Sequence, residues 1–206
     1  MTSHTVGELL EAWQTGDASA FTRLVERFES SLLRYARFLP CGADGAEDVV
    51  QEAFLRLARR PPRLPPEVEG DPRLQQAHLA SWLFRVTRNC AMELVRSDSR
   101  RRQRERHSAA AEVIEEGHCP LVENDTRAAV EEGLRRLPDD QREVLVLRLL
   151  GDRSYREIAE ITGRKPGTVA WLIAEGLRAL SGRLAASFDL APAAIRSHHH
   201  HGGSAR

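Results

Sequence analysis

The sequence predicts an all-α protein of two helical domains joined by a polar linker, the second with a helix-turn-helix. Three observations predict it. Apolar residues recur at helical spacing almost throughout, and no stretch alternates apolar with polar as a half-buried strand does. One acidic, apolar-poor segment, residues 107–125, separates two periodic regions. At 206 residues the chain can build one large or two small cores.

In chain order, Val6, Leu9, Leu10 and Trp13 follow i, i+3, i+4, i+7 behind a capping box of Thr5 and Glu8. Gly16 stops that helix, and Asp17 is a fair N-cap for a second, which carries Phe21, Leu24, Val25, Phe28 and Leu32 on one stripe. After the loop "PCGADG", a third helix is expected from about Gly45 to Arg60. The stretch "PPRLPPEVEGDP" cannot be helical, because proline lacks the N–H and clashes with the preceding turn. A fourth helix is expected from about Leu79 to Arg104, closing a first domain over residues 1–106. The linker, 107–125, holds five acids and no Lys or Arg. The second domain, 126–186, opens on Val130, Leu134 and Leu137 and continues through "VLVLRLL". Residues 187–206, with four consecutive histidines from His198 to His201, read as a disordered tail rather than a metal site.

Overall charge is balanced, 30 basic against 30 acidic residues, so bulk charge names no partner. Its distribution does more. Between Arg85 and Arg106 stand eight arginines against three acids, Glu93, Asp98 and Glu105. The cysteines Cys41, Cys90 and Cys119 are widely spaced, with no metal-binding pattern, which fits a reduced cytoplasmic protein. No apolar run is long enough to span a bilayer and no leader precedes the first helix, so membrane insertion is not expected. No catalytic set or phosphate loop is visible, and "REIAEITGRKPGT" lacks the Walker spacing; neither an enzyme nor a cofactor is expected.

Two segments carry binding chemistry. In the fourth helix Trp82, Phe84, Arg85, Arg88 and Asn89 interleave aromatics with bases, a combination suited to opened, single-stranded DNA. The same residues also fit a core helix with a wet arginine face. Arg96, Arg100, Arg101, Arg102, Arg104 and Arg106 form a plausible phosphate track. Further on, Ser154 and Glu157 form a second capping box, Gly163 permits a sharp turn and Pro166 suits a helix start. This scaffold offers DNA the residues Arg164, Lys165 and Thr168, with Tyr155 and Arg156 on the preceding helix. From Ala170 to Leu177, however, the second helix has no basic residue.

Three stretches taken in order, "AEDVVQEAFLRLARR" (46–60), "SWLFRVTRNCAMELVRSDSRRR" (81–102) and "LRRLPDDQREVLVLRLLGDRSYREIAEITGRKPGTV" (134–169), resemble the bacterial RNA polymerase sigma factors of the extracytoplasmic-function type. The resemblance covers about residues 5 to 184. It implies a non-enzymatic specificity subunit that binds core polymerase and promoter DNA. It places Asp48, Gln51, Glu52 and Phe54 against a coiled coil of the polymerase largest subunit, and "EVLVLRLL" beside the polymerase flap. It sets Asn89 at a flipped base of the minus-10 element and puts the Pro-rich loop, longer than relatives have, where the base-capturing loop lies. Relatives usually carry "Gly-Thr-Val-Lys-Ser-Arg" and further basic residues where this chain has Ala170, Trp171, Leu172 and Ala174. Two readings follow: weakened minus-35 contact with Trp171 on sugar or a thymine methyl, or an apolar surface for a protein such as an anti-sigma factor. A linker of 19 residues spans at most ~60–70 Å, against ~54 Å for a spacer of about 16 base pairs. Stretched, it permits contact with both elements at once. Other classes remain open from sequence: a sigma-like protein that has lost promoter recognition, or a helix-turn-helix regulator with an unrelated first domain.

Overall fold

A computed structural model describes residues 4–106 and 125–189, with side chains for residues 4–101 and 128–185. Residues 107–124 of the linker, including Cys119, and the tail histidines lie outside the described residues, while Asp125, expected as the linker's last residue, opens a helix. Eight α-helices and no strand occur among those described: α1 Val6–Gln14, α2 Ala18–Ala36, α3 Ala46–Arg59, α4 Pro72–Arg106, α5 Asp125–Arg135, α6 Asp139–Leu149, α7 Tyr155–Thr162 and α8 Pro166–Asp189. The all-α expectation holds.

Side-chain caps open four of the eight described helices, α1, α2, α4 and α7. Thr5 and Glu8 bond reciprocally to open α1, and Asp17 accepts from the Ser19 N–H to open α2. One boundary differs from the sequence reading. Helix α4 begins at Pro72, seven residues before the expected Leu79, because Asp71 accepts from the N–H groups of Arg73 (2.8 Å) and Leu74 (3.2 Å) while Pro72 takes the one position where its missing N–H costs nothing. The irregular Pro-rich segment therefore ends at Asp71 and contains one short 3-10 turn, Pro66–Val68. At 35 residues α4 is about 52 Å long.

Helices α1, α2 and α3 pack around the first half of α4, burying Leu10, Leu24, Phe28, Leu32, Leu57 and Leu83. Each such side chain contributes roughly 1.5–3 kcal/mol on leaving water. In the second group α6 is central: Val144, Leu145, Val146 and Leu147 are all buried, so the helix has no wide wet face, and α7 and α8 close over it. The two groups touch. Helix α7 lies against α4, and the apolar cluster continues from one group into the other.

Candidate nucleic-acid and polymerase interfaces

On α3 the residues Val49, Val50, Ala53 and Leu57 face inward, leaving Asp48 and Gln51 exposed. Glu52 is half-buried and accepts from Arg56 Nε at 2.9 Å, and Arg56 reaches across to Glu93 on α4 at 2.7 Å. That hydrogen bond holds the Glu93 carboxyl below its ordinary range and raises the Arg56 guanidinium further. Phe54 corrects the sequence reading: it is 7 % exposed and belongs to the core, so it offers no contact surface here. The exposed apolar residue of this face is its neighbour Leu55, at 43 %. Three positions after Asp48, and again at the seventh, the helix turns the same side outward, so Asp48, Gln51 and Leu55 form one stripe.

Helix α4 presents two adjacent stripes. One contains Trp82, Arg85, Asn89, Arg96 and Arg100, spaced so that successive members share a face. Arg85, Asn89, Arg96, Arg100 and Arg101 are exposed, and Trp82 is half-buried, one side against the core. Arg100 Nε bonds the Arg96 carbonyl oxygen at 3.2 Å. The other stripe, Ser81, Phe84 and Arg88, faces α6 and α7. Phe84 is a second correction. It is 1 % exposed, edge-on to Tyr35 at 5.2 Å and beneath the Arg153 guanidinium at 5.7 Å, so it is a packing residue and cannot stack on a base. Arg88 bonds Glu143 on α6 through Nε at 2.6 Å. Burial works to lower the basicity of Arg88, but the Glu143 bond outweighs it and the net shift is upward.

The helix-turn-helix is built as its residues dictate. Ser154 and Glu157 cap α7 reciprocally, Gly163 adopts φ 69° at its end, and α8 starts at Pro166. Val169, Leu172 and Ile173 hold α8 on the core. Lys165, Thr168, Tyr155 and Arg156 are exposed, with Tyr155 lying under Arg148 at 5.8 Å and Arg156 paired to Glu160 at 3.5 Å. Trp171 is 59 % exposed on the outer face of α8. Arg164 is the third correction: its fork is occupied by Glu143 (2.8 Å) and Asp140, which turns it into the domain rather than toward DNA.

No cluster of three or more metal-ligating side chains occurs among the described residues, and none of their helices is long and apolar enough to cross a membrane. Cys90 is buried and free, its thiol pushed up to about 11 by desolvation, and it serves as packing.

The family model for Sigma-70 region 2 matches residues 24–101, and that for Sigma-70 region 4 matches residues 127–180. The sigma-E factor of Escherichia coli K12 is 32 % identical over 172 residues, covering 78 % of this chain and 84 % of that protein. The chain belongs to the extracytoplasmic-function sigma factors. It is likewise 30 % identical to the sigma factor BldN of Streptomyces coelicolor over 84 % of its own length, although it spans only 64 % of that relative. In fold, this sigma factor matches RpoE of Bartonella quintana, solved with the anti-sigma factor NepR, at a TM-score of 0.59 and 22 % identity, over 80 % of this chain and 96 % of the other. Region 2 thus contains the α3 stripe and both stripes of α4, and region 4 contains the helix-turn-helix. As a sigma factor the chain directs promoter-specific transcription with RNA polymerase core and promoter DNA as its partners, and the family is one of binding subunits rather than enzymes. Sequence reasoning missed Glu143 altogether. The signal for Glu143 was faint: one acid inside the run "REVLVLRLL".

Proposed function

We propose that this cytoplasmic sigma factor divides its work between three surfaces. The α3 stripe of Asp48, Gln51 and Leu55, edged by Glu52, docks on the coiled coil of the polymerase largest subunit; a polar rim around one apolar anchor suits a reversible interface. The α4 stripe of Trp82, Arg85, Asn89, Arg96, Arg100 and Arg101 holds the opened minus-10 strand. Arginines neutralise phosphates there, the exposed part of Trp82 receives a base, and Asn89 bonds a base edge. The third surface, Lys165, Thr168, Tyr155 and Arg156 with Trp171 beside them, makes a weak minus-35 contact. The domain limits are 1–106, 107–125 and 126–186, with an anti-sigma factor as a further partner. What supports the reading most is the single face shared by the half-buried Trp82 and the exposed Arg85, Asn89 and Arg96, on the side of α4 away from its buried residues.

Run-off transcription with purified core on a promoter pool tests it, using Asn89→Ala and Trp171→Ala variants. Asn89→Ala is expected to reduce specific starts by one to two orders of magnitude, as loss of a ~1–3 kcal/mol base contact does. Trp171→Ala is expected to change them less than about fivefold. A dominant effect of Trp171→Ala would reverse the division between the two elements.

A further inference from the structure

The outer face of α8 carries one large side chain between small ones. Trp171, 59 % exposed, has as its nearest surface neighbours the residues three and four positions away, Gly167, Thr168, Ala174 and Glu175. Gly167 and Ala174 leave the helix narrow beside the indole, and a Cβ built on Gly167 would meet nothing within 4 Å. Glu175 Oε1 accepts from Arg178 Nη1, which offsets its charge. Of the polar side chains around the start of α8, Arg164 is turned inward onto Glu143 (2.8 Å), whereas Lys165 and Thr168 are exposed. Trp171 lies one turn beyond Thr168 on the same side, in the N-terminal half of α8. That is the part of a recognition helix that reaches base edges. An indole there has little to offer a hydrogen-bonding edge and a broad face to offer an apolar group.

Of the four bases only thymine displays a methyl group in the major groove. An aromatic face meets such a group through dispersion and the release of water. A protein partner suits this face less well. Leu177, the other exposed large apolar residue of α8 among those described, stands six positions on and about 120° around the helix, so the two form no common patch. Lys165 and the backbone N–H groups at the start of the helix favour a polyanion instead. We propose that Trp171 is a specificity-determining residue of region 4: its indole reads the methyl group of a thymine in the minus-35 element, which rests on the assignment of the helix-turn-helix to that element. Contact with a methyl neutralises no phosphate, so it adds sequence preference without adding salt dependence. Burying one such group is worth a factor of about four (~0.8 kcal/mol at ~1.4 kcal/mol per tenfold). That factor agrees with the limited effect expected of Trp171→Ala.

The test uses the full chain with purified core polymerase. A promoter recovered from the pool is rebuilt with deoxyuridine in place of thymidine, one position at a time on either strand of its minus-35 element. Deoxyuridine keeps every hydrogen-bonding atom of the base and removes only the methyl. A template with a scrambled minus-35 element is run beside these. In the parent, one substitution is expected to lower specific starts about fourfold. In Trp171→Ala that substitution is expected to change nothing, while Trp171→Leu, which keeps an apolar side chain, retains part of the effect. The dependence of starts on salt concentration is expected to be the same in all three chains. A Trp171→Ala chain that still shows the full loss overturns the methyl contact, as does a recovered minus-35 element without any A·T pair. The scrambled template separates this contact from the reading beneath it. A parent that prefers the intact element yet ignores deoxyuridine refutes the methyl contact alone. A parent that starts equally from intact and scrambled templates refutes region 4 as the minus-35 reader, and the role of Trp171 falls with it, leaving that face to a protein partner.

Discussion

Gly176 shows how a single residue can mislead when read without its neighbours. In a helix interior glycine costs about 1 kcal/mol relative to alanine, so its place in α8 looks like a defect. A Cβ added there would lie 2.8 Å from Leu145 Cδ1 and 3.1 Å from Leu145 Cγ, and Leu145 is fully buried on α6. The absent side chain is what lets α8 approach the central helix. Overpacking a closed core costs about 1–3 kcal/mol, which exceeds the helix gain. Gly176→Ala is therefore expected to lose about 1 kcal/mol net, lowering Tm by roughly 2–4 °C for a chain of this size. A higher urea midpoint in the variant would mean that Leu145 can rotate away and that the close approach is incidental.

At the scale of helices, what could be read from sequence was local, and what could not was a matter of phase or distance. The capping boxes of α1 and α7 were legible because their partners stand three residues apart. Phe54 and Phe84 were misplaced because neighbouring positions differ by only 100° around a helix, and a core edge can pass between Phe54 and Leu55 or between Phe84 and Arg85. The Glu143 cluster was invisible, since its partners Arg88 and Tyr35 lie 55 and 108 residues away. Glu157 ties local and distant order together. It accepts from the Ser154 N–H at 2.7 Å, Arg153 Nη1 at 2.8 Å and Ser81 Oγ at 3.2 Å. Burial works to raise its carboxyl, but the Ser154 and Arg153 interactions prevail and hold it below the unfolded value of 4.5. A carboxyl depressed on folding adds stability that is fully present above that value and is lost as pH falls through the folded one. The urea midpoint should consequently fall more steeply below about pH 4.5 in the parent than in Glu157→Gln. Parallel acid profiles would show that Glu157 contributes no such linkage.

Across the whole molecule, the same chain must serve two geometries. Packed together, the regions share a seam at Glu143; under the proposed function they stand about 54 Å apart on a promoter. Only segment 107–125 bridges that change, and its 19 residues reach ~60–70 Å, a narrow surplus. Deleting eight of them leaves a reach of about 36–40 Å, short of the spacer. Region 2 keeps its own surfaces in such a variant, because α3 and the strand-facing stripe of α4 depend on contacts within the first helical group. Initiation at promoters that need only the minus-10 element should then continue near the parental rate. At promoters carrying both elements, the gain conferred by the minus-35 sequence should vanish. Run-off transcription on paired templates, with and without the minus-35 sequence, measures this ratio directly. If the shortened chain retains the full ratio, the two regions do not engage their elements at the same time, and the minus-35 contact must act before strand opening rather than alongside it.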